Sequence, residues 1–524
     1  MATVIAGEAS GGWNVFKQDI AQLQNLVWQY RDATYARGDL SSVNEPKAVY
    51  ELYGSGITYV EDRNSPQFGV PTGGTFTRLT GTYDGSMIFD IRNFNVPVTT
   101  FVSWIMAGDN NAYRNTVFGG DDIFLGSSGP DVLQSFGGND RIDGRAGADA
   151  MDGGPGNDTF VADNLGDYVT DAEGGIDTVE SYVSWQLIDG LENLTLLGSA
   201  VIGIGNDAAN TIIGNAADND LRGMGGVDTT VYEAAFRQYA VNSAATTTVS
   251  GLEGNDTLTT IENLLFVDGR LTFDPNDHMG QAYRLYFATL DRAPDSLGLN
   301  YQSARLDAGT SLVEVADGFV KSPEFQATYG ALNDRQFVTQ LYQNVLDRFP
   351  TNDEITYHVG RLKSGASRAD VVVGFSESPE HIQKHIGEVN AGLWDIDEGL
   401  ASISRLYFGM LERTPETAGL TYYKEELANG LTVQEVANGF ANSPEFQNKY
   451  GPLTNPDYVK QLYLNVLDRA PSADEVAFHV GRLDNGATRG DVAAGFTESL
   501  EYQVKTLPLV DDGIAVADAG FILT

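Results

Sequence analysis

A nine-residue repeat over residues 118–160 limits the possible fold of this 524-residue chain more than any other feature. An Asp recurs at every ninth position, an apolar residue follows it by two, and a glycine precedes it by two. The members are Asp122, Asp131, Asp140, Asp149 and Asp158; Phe124, Leu133, Ile142, Met151 and Phe160; and Gly120, Gly129, Gly138, Gly147 and Gly156. Nine residues make one short strand and one turn, so each unit must stack on its copies to bury its apolar side chain.

The spacing predicts that each unit is half a coil, so that a unit lies over the next but one. Asp140 then lies between Asp122 and Asp158 in one row, while Asp131 and Asp149 form a second row. Glycines allow the positive φ of tight turns, and carboxylate and carbonyl oxygens are the ligands that Ca²⁺ prefers. Rows of acids repel one another unless a cation lies between the coils. A glycine-rich flexible linker is the alternative, but a linker has no reason to keep an apolar residue in phase.

These units resemble the RTX (repeats-in-toxin) nonapeptide family, which implies a parallel β-roll that binds Ca²⁺. The resemblance makes the five Asp and five Gly residues candidate metal-site residues. A second block, residues 205–231, carries Asn210, Asn219 and Asp228 in the acidic position, and a spacer-like segment between the blocks contributes Asp177. Asp177 and Asp228 join the metal-site prediction, whereas the two Asn residues put metal binding by the second block in question. Residues 231–273 resemble the β-rich cap that ends such stacks.

Charge and composition narrow the class of protein. The formal net charge is -40, and residues 117–280 hold 27 acidic against five basic residues. Such a chain repels phosphate backbones, so we expect no nucleic-acid partner. No run approaches 18 apolar residues, so we expect no membrane insertion. The chain has no cysteine, which excludes disulfides and thiolate chemistry.

Residues 281–506 are typical of short helices in tandem copies. Motifs around Tyr286 recur at Tyr407, 121 residues later, and each copy contains a half repeat of 56 residues. We predict helix-capping pairs at Ser311/Glu314, Ser367/Asp370, Thr432/Glu435 and Thr488/Asp491. The recurrent Leu-Tyr and Gly-Phe pairs are interpreted as core. The whole resembles an uncharacterised domain family found in tandem in secreted RTX and surface-layer-type bacterial proteins, which implies location but no chemistry.

The two ends give weaker signals. Ile20, Leu23, Val27 and Tyr30 predict a helical face, while residues 87–91 and 98–105 predict strands leading into the roll. No apolar segment follows a basic start, so we expect no N-terminal export signal. Residues 510–524 resemble the uncleaved C-terminal signal of type I secretion substrates; a docked C-terminal strand is the alternative.

A search for catalytic motifs is negative. The sequence has no His-Glu-x-x-His and no Gly-x-Ser-x-Gly. His381 and His385 could share a helix face, but we interpret them as surface histidines. Arg-Gly-Asp tripeptides begin at Arg37 and Arg489, and the second falls in a predicted cap. We predict no enzymatic activity.

The sequence therefore predicts a multi-domain protein: a small α+β domain (1–116), a calcium β-roll with a spacer and a β-rich cap (117–280), two tandem all-α domains (281–390 and 401–506), and a secretion-signal-like tail (507–524). We expect a secreted, extracellular calcium-binding structural protein of the cell surface, a surface-layer or matrix component. It would leave through a type I exporter, fold on external Ca²⁺, and self-assemble or bind cell-surface polysaccharide. The alternatives are a calcium-dependent adhesin and a secreted hydrolase with its site in residues 1–116.

Overall fold

The computed structural model describes residues 2–7, 23, 27–40, 48–61, 70–83, 86–171, 174–243 and 246–519. The chain divides into two compact units. The first comprises Met1–Thr230 and Glu253–Ile261, and the second comprises Val231–Leu252 and Glu262–Thr524. The domain boundaries given above remain predictions.

The first unit begins with antiparallel strands and two helices. The strands are Thr3–Ala6, Val27–Arg31, Tyr35–Leu40, Ala48–Tyr59, Pro71–Tyr83 and Ser86–Pro97, and the helices are Val98–Ala107 and Asn110–Val117. Thr3–Ala6 pairs antiparallel with Ser86–Pro97 and parallel with Ile123–Leu125, which joins this sheet to the repeats.

Two local predictions in this region are wrong, and a third is right. The predicted helical face fails because Val27–Arg31 is a strand paired with Tyr35–Leu40, and Ile20 lies outside the described residues. The predicted strand at 98–105 is the helix Val98–Ala107, which buries Val98, Phe101 and Ile105 at helical spacing. The strand predicted at 87–91 lies within Ser86–Pro97.

The nine-residue units form a parallel β-solenoid with strands on two faces. One face contains Ile123–Leu125, Arg141–Asp143, Thr159–Ala162, Thr178–Ser181, Asn193–Leu196, Thr211–Ile213 and Thr229–Val231. The other contains Val132–Gln134, Ala150–Asp152 and Tyr168–Thr170, then Trp185–Gln186, Ile202–Ile204 and Asp220–Arg222. Strands on one face are in parallel register, with Phe124 opposite Ile142 and Ile142 opposite Phe160. All five predicted apolar residues are at most 1% exposed, so the half-coil prediction is confirmed.

A segment that the sequence analysis placed in the cap continues the solenoid. Gly254–Thr259 pairs in parallel with Asp220–Arg222, although more than 30 residues separate them. The intervening chain contains the antiparallel hairpin Ala240–Ser243 and Thr247–Gly251 in the second unit. A β insertion therefore interrupts the stack before its last strand.

The second unit is mainly helical. Besides the hairpin it has three antiparallel strands, Asn263–Phe266, Gly269–Thr272 and Leu393–Ile396. Its helices before residue 391 are His278–Leu290, Ser296–Asp307, Leu312–Lys321, Pro323–Tyr329, Asp334–Leu346, Asn352–Lys363, Arg368–Ser376, Pro379–Lys384 and Ile386–Asn390. The later helices are Glu398–Leu406, Thr417–Ala428, Val433–Ala441, Pro444–Tyr450, Asn455–Leu467, Ala473–Asp484, Arg489–Thr497 and Leu500–Thr506. All four predicted capping pairs form, each with hydrogen bonds in both directions.

Each half repeat ends a long helix in the same way. A left-handed Asp or Glu stops the helix, and the next residue, an Arg, lies over the Tyr of the Leu-Tyr pair and binds a Glu. The four sets are Asp291, Arg292, Tyr286 and Glu324; Asp347, Arg348, Tyr342 and Glu354; Glu412, Arg413, Tyr407 and Glu445; and Asp468, Arg469, Tyr463 and Glu475. The four Tyr residues are buried, as predicted.

The chain packs its last described residues into the second unit. Val510, Ile514 and Val516 belong to the same buried cluster as the second set of helices. The backbone N–H of Ile514 donates to Asp268 Oδ2 at 2.6 Å. The tail is thus docked by a turn rather than by the strand considered above, and residues 520–524 of the secretion-signal prediction lie outside the described residues.

Candidate metal centre

Buried carboxylates run along the turns of the solenoid as hydrogen-bonded ladders. In each step the backbone N–H of one acid donates to Oδ1 of the acid one coil later. The steps are Asp122 to Asp140, Asp131 to Asp149 and Asp140 to Asp158, each 2.7 Å, and Asp149 to Asp167 at 3.0 Å. The two predicted rows are therefore real rows, and each acid is fixed by the coil before it.

Some of these carboxylates leave their second oxygen buried and without a described hydrogen-bond donor. Oδ2 of Asp149 and Oδ2 of Asp177 are buried and accept no hydrogen bond from any described residue. Asp149 is 1% exposed and Asp177 is fully buried. Burying a carboxylate oxygen without a donor or a cation is costly, so either a bound cation or a proton on these carboxylates would stabilise the folded solenoid.

The first glycine of a unit lies beside this second oxygen. A Cβ on Gly144 would lie 2.5 Å from Asp149 Oδ2, and a Cβ on Gly153 would lie 2.2 Å from Asp158 Oδ2. Any side chain at these positions would strike the carboxylate five residues later. The sequence analysis selected the glycine two before the Asp and missed this one, although the fixed spacing of five was a readable signal.

The predicted glycines lie at the turn, where successive coils approach most closely. Gly138 has φ +114°, and a Cβ on Gly156 would lie 1.8 Å from the carbonyl oxygen of Gly138. Gly147 faces Asp149 Oδ1, and Gly129 donates its N–H to Ser127 Oγ at 3.2 Å. Gly120 has open space where a Cβ would be. Coil contact therefore demands glycine at 138 and 156 but not at 120.

Burial changes the acidity of the rows. It raises the pKa of Asp140, Asp149 and Asp158 to about 7, and neighbouring carboxylates of the same row add to the effect. Burial likewise raises the pKa of Asp177 to about 6, and it also raises the pKa of Asp122. A bound cation would favour the ionised form of the same groups, so metal binding and proton release are coupled.

The ladder continues beyond the first block with a mixture of acids and amides. The backbone N–H of Asp158 donates to Asp177 Oδ1 at 2.7 Å, and that of Asn210 donates to Asp228 Oδ1 at 2.8 Å. Asn210 and Asn219 use their side-chain amides to donate to backbone carbonyls. These positions hold the coils together by hydrogen bonds alone, without an ionised row.

Three further acids lie in the ladder and were missed. Asp167 continues the step of nine after Asp158, and its signal was present in the sequence. Asp256 accepts from the backbone N–H of Asn219 at 2.9 Å, but the hairpin insertion hides its register. Asp171 is buried beside Asp158 and Asp177 and takes the position that Gly153 holds one coil earlier.

The donor set fits calcium. The groups along the rows are carboxylate and backbone oxygens, the hard ligands that Ca²⁺ takes in sets of six to eight. Buried Oδ2 atoms supply charge where a donor is missing. Which of the predicted Asp and Gly residues bind an ion remains a prediction.

The interpretation of His381 and His385 as surface residues is wrong. His381 is fully buried and His385 is 4% exposed, with their ring centroids 4.7 Å apart. Burial holds the pKa of His381 at about 4. His385 packs against Phe287 at 4.2 Å. Two neutral imidazoles thus form part of a packed core, which a single sequence cannot distinguish from a polar helix face.

Comparison with known families agrees with this architecture. The RTX calcium-binding nonapeptide repeat matches residues 116–151, 125–160, 136–168 and 204–232. A domain of unknown function, DUF4214, matches residues 277–327, 316–385, 401–450 and 437–506. The chain therefore carries RTX calcium-binding nonapeptide repeats followed by a DUF4214 domain, and calcium is the metal of that repeat family. A search of curated proteins finds no match.

One further observation concerns membranes. Within the described residues, no helix combines the length and the apolar character needed to cross a bilayer.

Proposed function

We propose that this is a secreted structural protein whose solenoid folds when it meets extracellular Ca²⁺. The observation that carries the proposal is the set of buried carboxylate oxygens, such as Asp149 Oδ2 and Asp177 Oδ2, that accept no hydrogen bond from the described residues. Without a cation, ionised rows repel across the coils and oppose folding. With Ca²⁺ between the coils, binding to the folded form alone draws folding forward by mass action.

This coupling suits export through a narrow channel. At the low Ca²⁺ of a cytosol the acidic rows keep the repeats unfolded, and folding begins only outside. The docked tail fits the same order of events. Val510, Ile514 and Val516 are buried in the folded second unit, so a type I exporter would have to recognise them before that unit forms.

Far-UV circular dichroism of the full chain at pH 8 tests the folding proposal. We expect added β signal when Ca²⁺ replaces chelator, and little change with Mg²⁺, which demands a smaller and more regular site. A spectrum that is already fully folded in chelator, with no response to Ca²⁺, would overturn it.

We further propose that the helical repeats supply contacts between copies of the protein. An aromatic residue recurs at the same position in all four half repeats: Tyr301, Tyr357, Tyr422 and Phe478. These side chains are 54–65% exposed, so the fold of a single chain does not account for their recurrence. Aromatic side chains are enriched where proteins meet partners. Repeated identical contacts are what a surface layer or matrix requires.

Electron microscopy and light scattering of the purified chain in millimolar Ca²⁺ test self-assembly. We expect ordered sheets or large particles that Tyr357→Ser with Phe478→Ser abolishes. A matched control is Phe349→Ser, another exposed aromatic outside the recurrent set. Monomers of the wild type in millimolar Ca²⁺ would overturn self-assembly.

The same four exposed aromatic residues favour a second candidate, an adhesin that binds polysaccharide, because sugar faces stack on exposed rings. Retention of the protein on cell-surface glycan, lost in the same double variant, would support the adhesin. The proposal includes no catalysis. Turnover of a polysaccharide or ester panel would contradict that part of it.

A further inference from the structure

Three buried acids converge at the end of the first repeat block. Asp158, Asp171 and Asp177 each place a carboxylate oxygen within 4.8 Å of the other two. They are 1%, 2% and 0% exposed. Among the described residues this is the one group of three or more acids or histidines with that geometry.

Asp158 and Asp177 each use only one of their two carboxylate oxygens to hold the coils. Asp158 Oδ1 accepts from the backbone N–H of Asp140, and Asp177 Oδ1 accepts from that of Asp158. The Oδ2 atoms of Asp158 and Asp177 are buried and accept no hydrogen bond from the described protein donors. Asp158 and Asp177 thus each keep one buried oxygen that no described protein donor satisfies.

A glycine lies beside two of the three carboxylates. A Cβ on Gly153 would lie 2.2 Å from Asp158 Oδ2 and 2.7 Å from Asp171 Oδ2. Because residue 153 is a glycine, the carboxylates of Asp158 and Asp171 can both lie against its backbone. Any larger residue would fill the position between them.

The third acid stands at a repeat position that holds a glycine one coil earlier. Asp171 directly follows the strand Tyr168–Thr170 on one face, and Asp177 directly precedes Thr178–Ser181 on the other. The ladder step from Asp158 to Asp177 spans 19 residues where the earlier steps span 18. Asp171 takes the position that Gly153 holds one coil earlier, because Asp152 pairs with Thr170, and the extra residue falls between Asp171 and Asp177.

We propose that Asp158, Asp171 and Asp177 form a separate calcium site, the tightest in the solenoid, with Asp171 as a ligand at a repeat position that Gly153 holds one coil earlier. The inference rests on the calcium binding proposed above and adds a ligand and an order of filling to it. All three donors are hard oxygens, which favours Ca²⁺ over softer metals. Three carboxylates at one point attract a divalent cation more strongly than the single acids of the other steps, because affinity rises with the charge of the ligand set.

Calorimetric titration of the full chain with Ca²⁺ tests this. The wild type should show a first, tightest class of binding, and Asp171→Asn should lose that class, binding one ion fewer while the remaining isotherm is unchanged. Asp189→Asn is the matched control, because Asp189 is an exposed acid of the same solenoid and the charge change is identical. An Asp171→Asn isotherm that superimposes on the control would overturn the proposal.

A second measurement avoids the variant altogether. In crystals of the unmodified chain soaked with Tb³⁺, the anomalous map should contain a peak bonded to all three side chains. Peaks along the rows without one here would overturn the new site while leaving the proposed function intact. A wild type that binds no Ca²⁺ in the titration would instead refute the proposed function itself.

Discussion

Replacing one buried carboxylate by its amide tests two effects of the acidic row: that its charge destabilises the solenoid without Ca²⁺ and stabilises it with Ca²⁺. Asp149 is 1% exposed, its Oδ1 accepts from the backbone N–H of Asp131, and burial raises its pKa to about 7. Asp149→Asn keeps the shape and removes the charge. The chain already uses this solution at Asn210 and Asn219, whose amides donate to backbone carbonyls of the preceding coil.

The magnitude follows from the raised pKa. An acid whose pKa is higher in the folded than in the unfolded state contributes most to folding stability below its unfolded pKa. That contribution is lost as the pH rises through its folded pKa. Burial raises the pKa of Asp149 from 3.8 to about 7, so burying the group costs roughly 4 kcal/mol at pH 8 and about 2 kcal/mol at pH 5, at 1.36 kcal/mol for each pKa unit. In chelator, Asp149→Asn should therefore stabilise the solenoid at pH 8 by more than it does at pH 5.

In Ca²⁺ the sign should reverse, because the substitution removes a ligand charge. The assay is far-UV circular dichroism at both pH values, during urea unfolding in Ca²⁺ and during osmolyte-induced folding in chelator, where the solenoid is expected to be unfolded. Asp189→Asn, an exposed change of equal charge, is the control and should behave as the wild type does. If Asp149→Asn destabilises the chain in chelator at pH 8, or if its effect is the same at both pH values, the reasoning is refuted.

Three further predictions concern packing and caps. Gly156→Ala should cost the calcium-loaded solenoid more than about 2 kcal/mol, because its Cβ would meet the Gly138 carbonyl at 1.8 Å, while Gly120→Ala, whose Cβ enters open space, should be tolerated in the same urea assay. Thr488→Ala removes a formed capping box and should cost the helical unit about 1 kcal/mol in thermal unfolding; no change in melting temperature would contradict the cap. Asp268→Ala removes the acceptor of the Ile514 and Phe236 N–H groups, and it should expose residues 507–519 to limited proteolysis; protection equal to the wild type would show that the other contacts of the tail, its apolar packing and the ion pair of Arg237 with Asp512, are sufficient to hold it.

The nine-residue period made the solenoid predictable because every coil repeats the same pattern of turn and buried apolar residue. An apolar residue that recurs in phase can only point inward, so Phe124 through Phe160 are buried as predicted. Caps are equally local, since Ser311 and Glu314 satisfy each other within one turn of helix. These features depend on residues at short, fixed distances along the chain, so they can be predicted from one sequence.

The features that were missed depend on neighbours in space. Asp171 stands where the repeat holds a glycine one coil earlier, and its proximity to Asp158 and Asp177 shows only in the fold. Asp256 returns to the stack only after a hairpin has been inserted. Val98, Phe101 and Ile105 read as a strand until their helical burial is known. His381 and His385 look polar in sequence, but tertiary packing makes them core.

Hydrogen exchange, resolved by mass spectrometry along the chain, tests calcium-coupled folding most directly. At pH 8 we expect residues 118–231 to exchange freely in chelator and to become protected in Ca²⁺, while the helices between residues 278 and 506 stay protected in both. Protection of residues 118–231 in chelator, equal to that in Ca²⁺, would contradict the account.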